Sequence, residues 1–427
     1  MQVELDYGKG TLAVNLPDEC DLTIIEKHQR APVRDARAAV SAALAQPVGC
    51  AQLAELARGR RSACIVICDI TRPVPNHLLL QPIIRALVNA GIALDAITVL
   101  IATGLHRPNE GAELAELVGD PWVLEAVQVV NHFARDDSAH VDLGVTPGRG
   151  VPVALDRRFM AAELKLVTGL VEPHFMAGYS GGRKVIAPGI AHERTIRTFH
   201  NADFMGHSAA VQCQLEGNPL HEEQLAIVDM VGEAYALNTV LDEKRQLTFV
   251  NFGEILASHA AAVAEVENTA RVAVGRQFST VLTSAAGYPL DRTYYQTVKA
   301  MVTPIDILAP GAELIVASDC SEGLGSVEYR QAQARLVREG VAGFEQQINA
   351  RALAEVDEWQ TQMQLRPMRD ARISLYSRGL PSADRALTGV RLIDDIEGAV
   401  RDSIAASGDT SIAVIPEGSY VVPVVSV

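Results

Sequence analysis

Residues Cys64 to Asp69 read CIVICD, Asn76 to Ala90 read NHLLLQPIIRALVNA, Ala96 to Thr103 read AITVLIAT and Gly111 to Leu117 read GAELAEL. Short apolar, β-branched runs alternate with longer segments of helical spacing, and that rhythm predicts an α/β layer with parallel strands. Upstream, Val3, Leu5 and Tyr7 alternate with polar residues, Gly8-Lys9-Gly10 turns, and Leu12, Val14 and Leu16 resume, which predicts a hairpin. Helices are expected over Arg34 to Ala45 and from His192 towards Asn201. Downstream, Leu164 to Val171 reads as a further strand, Ala234 to Phe252 as a hairpin and Ile255 to Ala270 as an amphipathic helix. The strand-then-helix rhythm restarts at Gln277, with Ser279 to Thr283, Arg292 to Met301 and Glu313 to Ser318.

At 427 residues the chain exceeds one ordinary core. The expected architecture is two α/β domains, 1–274 and 275–409, with a cofactor and substrate cleft between them. The strands in 410–427, Ile412 to Pro416 and Val421 to Val424, are available to complete the N-terminal domain.

Composition narrows the function. The chain is 48% hydrophobic and 21% charged, as in a folded globular protein. The formal net charge of −15, with no Lys/Arg run, argues against nucleic-acid and anionic-membrane partners. The six cysteines stand singly, without CxxC or zinc-ribbon spacing. The start, MQVELDYGKG, lacks a secretory pattern and no segment approaches the ~20 apolar residues needed to span a bilayer. A cytoplasmic location with reduced thiols is expected.

Ligands of parallel sheets gather beyond the carboxyl ends of the strands. Three motifs fall there: Asp69-Ile70-Thr71-Arg72-Pro73, Gly104-Leu105-His106-Arg107 and Glu172-Pro173-His174. Lys184 closes a glycine-rich loop, Ala177 to Lys184. Read locally, it is either a cation or covalent anchor for a phosphorylated cofactor or a solvated lysine after a surface turn. His106 and His174 are either structural imidazoles or a pair of bases with the near-neutral pKa that two-sided proton transfer needs. Asp69, Thr71 and Arg72 read equally as ligand contacts or as a strand-end turn with Asn76 capping the next helix. His192 and His200 lie eight apart, not the i, i+4 spacing of a two-histidine helix site. A single histidine would need metal donors from elsewhere. Tyr295, Gln296 and Lys299 open a helix, with Gln296 and Lys299 on one face, and Trp359 reads as packing.

Taken together, DITRP at Asp69 to Pro73, GLHR at Gly104 to Arg107, EPHFMAGYSGGRK at Glu172 to Lys184, His200 and YQTVK at Tyr295 to Lys299 resemble the lactate racemase family, in order and over nearly the whole chain. The resemblance implies an isomerase, a 2-hydroxyacid racemase or epimerase. It further implies a nickel-pincer nucleotide, nickel(II) pyridinium-3,5-bisthiocarboxylic acid mononucleotide, attached covalently at Lys184, with His200 as metal ligand. Asp69, Ile70, Thr71 and Arg72 would line this cofactor, His106 and His174 would alternate as acid and base, and Arg72 would polarise the substrate oxygens. Tyr295, Gln296, Lys299 and Trp359 would hold a small 2-hydroxy carboxylate whose C2 hydrogen leaves and returns as hydride. Enzymes that make the cofactor are the implied partners. Two rivals are a pyridoxal-phosphate enzyme using Lys184 and a non-catalytic cofactor carrier.

Overall fold

The computed structural model describes residues 1–242 and 244–426. Glu243, inside the expected hairpin Ala234 to Phe252, and Val427, the last residue of 410–427, lie outside the described residues. The chain divides into two compact units, Gln29–Phe199 with Ser208–Asn268, and Met1–His28 with His200–His207 and Thr269–Val427.

The first unit is built on a six-stranded sheet in the order Leu247–Glu254, Tyr235–Leu241, Leu164–Leu170, Ala63–Cys68, Ile97–Ala102, Gln128–Asn131. Every neighbouring pair is parallel except Tyr235–Leu241 with Leu247–Glu254, the expected antiparallel hairpin. Ile65, Ile67, Val99, Ile101 and Leu166 of the sheet form one core with Leu80, Ile83 and Leu87 of the helix Asn76–Asn89. Burial on both faces is why these strands read as continuous apolar runs rather than alternating ones. From Ala63–Cys68 the chain winds outward through Ile97–Ala102 to Gln128–Asn131, then returns to lay Leu164–Leu170 on the opposite side of the starting strand. The sheet therefore reverses direction between Ala63–Cys68 and Leu164–Leu170, and such a switch point opens a crevice at the strand ends.

Asn76 does not cap the helix that follows. Pro75 holds the cap position, while Asn76 is buried and its Nδ2 donates to the Leu117 carbonyl at 3.0 Å.

The second unit carries a six-stranded, all-parallel sheet in the order Arg391–Ile393, Ala371–Tyr376, Leu308–Ala317, Phe278–Ser284, Ser411–Ile415, Asp21–Ile24. Here the structure departs from the expected division at 1–274, 275–409 and 410–427. The hairpin Gln2–Tyr7 with Gly10–Asn15 forms as expected, but it belongs to this unit. Its inward residues Val3, Leu5, Leu12 and Val14 share a core with Leu282, Ile315, Ile412 and Val414. The strand Ser411–Ile415 is held between Phe278–Ser284 and Asp21–Ile24, and Val422–Val425 pairs in parallel with Arg271–Val274. Asp21–Ile24 and Ser411–Ile415 thus complete the six-stranded sheet of the second unit. Edge pairing is long-range, which local sequence does not encode.

Among the described residues no helix is long and apolar enough to cross a membrane, and all six cysteines are free.

Candidate active site

In the first unit, the three motif-bearing strand ends are neighbours. Ala63–Cys68 runs into Asp69 to Arg72, Ile97–Ala102 into Thr103 to His106, and Leu164–Leu170 into Glu172 to His174. Asp69 is buried, and its Oδ2 lies 2.7 Å from His106 Nδ1 while Oδ1 accepts from Thr71 Oγ1 at 2.6 Å. Burial pushes the Asp69 carboxyl up, but His106, Thr71 and Arg72 outweigh it and hold the group below the usual carboxylate range. An ionised Asp69 fixes the neutral imidazole of His106 with its proton on Nδ1, so that Nε2 bears the lone pair. The His106 side chain keeps 50% exposure. Both Asp69 oxygens are engaged with protein, so the geometry favours orientation of His106 as the role of this carboxylate. Arg72 bends back onto Thr71, donating from Nη1 to its carbonyl at 3.3 Å.

His174 sits in a two-residue ladder, Pro173 opposite Tyr179 and His174 opposite Gly178. Its Nδ1 accepts from the amides of Met176 and Ala177 at 3.4 and 3.3 Å. That places the proton of the neutral ring on Nε2, so the two histidines present complementary tautomers.

The glycine-rich loop folds back against the strand before it. Gly181 (φ +77°) and Gly182 (φ +46°) take backbone conformations that side chains rarely adopt; a Cβ on Gly181 would sit 2.6 Å from Val171 Cγ2, and one on Gly182 2.9 Å from His259. This approach delivers Lys184 into the short helix Arg183–Ile186, where it is partly buried. Burial, then the charges of Arg72 and Arg183, bring its amine down to about 7, against the smaller opposing pull of Cys68 and Glu172. A lysine so shifted is substantially neutral, and nucleophilic, near pH 7.

In the second unit, His200 lies in the break between the short helices Glu193–Thr198 and Ala202–Gly206, where a single helix to Asn201 was expected. Its ring lies 4.9 Å from that of Trp359. Trp359 Nε1 donates to Tyr295 Oη at 3.3 Å, and the Tyr295 carbonyl accepts from Gln360 Nε2. The helix Tyr294–Val302, capped by Thr293, carries Gln296, whose buried Oε1 has no hydrogen-bond partner among the described residues, and Lys299 one turn on. An unsatisfied buried amide oxygen is costly. This unit therefore groups His200, Trp359, Tyr295, Gln296 and Lys299. His192 is used elsewhere, capping its own helix through Nδ1 and meeting Asp137 through Nε2 at 2.8 Å.

Arg183, His221 and His259 were not singled out by the sequence. Arg183 is fully buried, its guanidinium meeting both imidazoles and two carbonyls of the loop. The two histidines stand in helices without any motif, and only the fold brings them to the loop.

These features describe an α/β protein whose sheet carries His106 and His174 beyond neighbouring strand ends and a lysine of lowered pKa in the glycine-rich loop that follows. Residues 7–212 match the lactate racemase N-terminal domain family and residues 275–423 the lactate racemase C-terminal domain family. The lactate racemase of Thermoanaerobacterium thermosaccharolyticum is 32% identical over 325 residues, covering 76% of this chain and 75% of that protein. The lactate racemase of Lactiplantibacillus plantarum is 28% identical over 425 residues, 98% of this chain and 99% of that protein. Among solved structures, the T. thermosaccharolyticum lactate racemase apoprotein superimposes with a TM-score of 0.91 at 27% identity, covering 99% of this chain and 100% of that one. A Thermotoga maritima protein shares the fold with a TM-score of 0.70 at 16% identity. This chain belongs to the lactate racemase family, and is accordingly an isomerase.

Proposed function

We propose that the chain is a racemase or epimerase that inverts C2 of a small 2-hydroxy carboxylate with the help of a nickel-pincer nucleotide bonded to Lys184. The observation that carries this reading is Lys184 itself, an amine held near neutrality behind a backbone loop too close to the sheet for side chains. Its surroundings fit the group: an amine that is substantially neutral near pH 7 suits acylation by a carboxyl-derived group. Among the described residues no set of three or more His, Cys, Asp and Glu is arranged to hold a metal ion. A nickel centre here would need donors of its own with one imidazole added, the role assigned to His200.

When bound, the group supplies an electrophile that accepts and returns the C2 hydrogen with its electron pair. The chain's residues do the rest. His106, with Nδ1 tied to Asp69, takes the hydroxyl proton at Nε2; the resulting imidazolium is stabilised by the Asp69 carboxylate 2.7 Å away. His174, charged when it serves as the acid, gives a proton from Nε2 to the same oxygen as the C2 hydrogen returns to the opposite face. Arg72 polarises the substrate oxygens, and Tyr295, Gln296, Lys299 and Trp359 bind the substrate. The enzymes that build the group are required partners.

Intact-protein mass spectrometry with nickel analysis, on chain co-expressed with the pincer-nucleotide biosynthetic enzymes, tests this. A nucleotide-sized adduct with about one nickel per chain, absent in Lys184→Ala, is expected. No adduct and no nickel, while a related racemase loads in parallel, would contradict it; a Schiff-base absorption with added pyridoxal phosphate would instead favour that cofactor.

A further inference from the structure

Arg183 is 0% exposed, and a guanidinium buried to that degree is ordinarily paired with a carboxylate. Here its partners are neutral. Nε donates to His221 Nδ1 at 2.7 Å, Nη1 lies 2.7 Å from His259 Nε2, and Nη2 donates to the carbonyls of Ala177 and Tyr179, both at 3.1 Å. The helices Pro219–Val231 and Ile255–Ala270 are thereby tied through one side chain to the glycine-rich loop.

We propose that Arg183 is a positioning residue for Lys184: a cation buried with no carboxylate partner among the described residues, pinning the loop from below while pressing positive charge on the neighbouring amine so that it reacts as a nucleophile. The proposal rests on the reading of Lys184 as the attachment point and adds the device that prepares it. Imidazoles can accept from a guanidinium only when unprotonated. In keeping with this, burial and then Arg183 bring His221 down to about 4 and His259 well below its ordinary value. Burial also lowers Arg183 itself to about 9, which leaves it charged at neutral pH. The groups facing the Lys184 amine are Arg72 and Arg183, which disfavour its protonation, and Cys68 and Glu172, which favour it less strongly.

The test uses the chain expressed without the biosynthetic enzymes. Limiting acetic anhydride labels its amines across a pH series, and the extent at Lys184 is read by peptide mass spectrometry. Wild-type Lys184 should label efficiently at pH 7. In Arg183→Gln, which keeps a planar donor but loses the charge, labelling at pH 7 should fall severalfold and its midpoint should move up, with roughly a tenfold fall for each unit moved. Arg183→Lys should restore much of the labelling. An unchanged profile in a folded Arg183→Gln overturns the proposal. Should that variant fail to fold, His221→Ala and His259→Ala test the pin instead. Faster hydrogen exchange over residues 177–184 supports it, and unchanged exchange in both overturns it. Because labelling needs no cofactor, failure of Lys184 to form the nucleotide adduct would remove the functional reading without altering this result.

Discussion

Asp69 accepts one bond from Thr71 and one from His106, and that division of its two oxygens sets how the nearer histidine works. Asp69→Asn keeps the shape but no longer enforces a proton on Nδ1 or stabilises an imidazolium. Turnover is expected to fall by about 10²-fold or more, with nucleotide attachment at Lys184 intact; normal turnover would show that His106 needs no fixed tautomer. His106→Ala and His174→Ala should each cost about 10²- to 10⁴-fold in racemisation while retaining the adduct. Steady-state rates in both directions check this, and full activity in either variant would remove the two-base scheme. His106 and His174 could be singled out because each stands in a motif after an apolar strand, and Lys184 because it closes a glycine-rich loop. The Asp69–His106 bond was not, because it joins the ends of two strands that become neighbours only on folding.

The glycine-rich loop is the element on which the site depends, and it tolerates little substitution. Gly181→Ala adds a methyl 2.6 Å from Val171 Cγ2 at φ +77°. A loss of about 1–3 kcal/mol is expected from conformation alone, more if the loop cannot shift; urea denaturation measures it, and wild-type stability would mean the loop is not held against the strand. The histidines beneath it make stability pH-dependent. The folded value of His221, about 4, lies below its ordinary value of 6.5, so the unfolded chain binds the proton more readily. The stability gained by keeping this ring neutral is present in full above about 6.5 and lost as pH falls towards 4. Urea midpoints across that range should decline, and His221→Gln should flatten part of the decline. At this scale the sequence was a good guide to the strands and helices around Cys64 to Leu117, whose apolar runs are long and bounded. It was a poor guide after His192, where a break at His200 interrupts what periodicity presented as one helix.

Of the two six-stranded sheets, the all-parallel one takes an edge, Asp21–Ile24, from the opposite end of the chain. Removing Met1–Ile24 would strip Val3, Leu5, Leu12 and Val14 from the core they share with Leu282 and Ile412, and would leave one edge of Ser411–Ile415 unpaired. At about 1.5–3 kcal/mol per large buried side chain, the truncated chain should lose Tm by roughly 10 °C or more, or be recovered only as aggregate; an unchanged Tm would mean that the hairpin is dispensable to its sheet. The α/β class followed from the strand-helix rhythm. The placement of residues 1–28 and 410–426 with the C-terminal unit did not, because a strand's partner is set by tertiary packing and not by its own pattern.

The central claim is inversion at C2 with the hydrogen carried as hydride and returned to the carbon it left. It is tested most directly by incubating cofactor-loaded protein with enantiopure 2-hydroxy acids, lactate first, deuterated at C2 in ordinary water. Product is then read by chiral chromatography with mass detection. The account predicts that the opposite configuration appears with deuterium retained. Inversion with loss of deuterium to solvent, or no inversion of any 2-hydroxy acid by fully loaded protein, would contradict it.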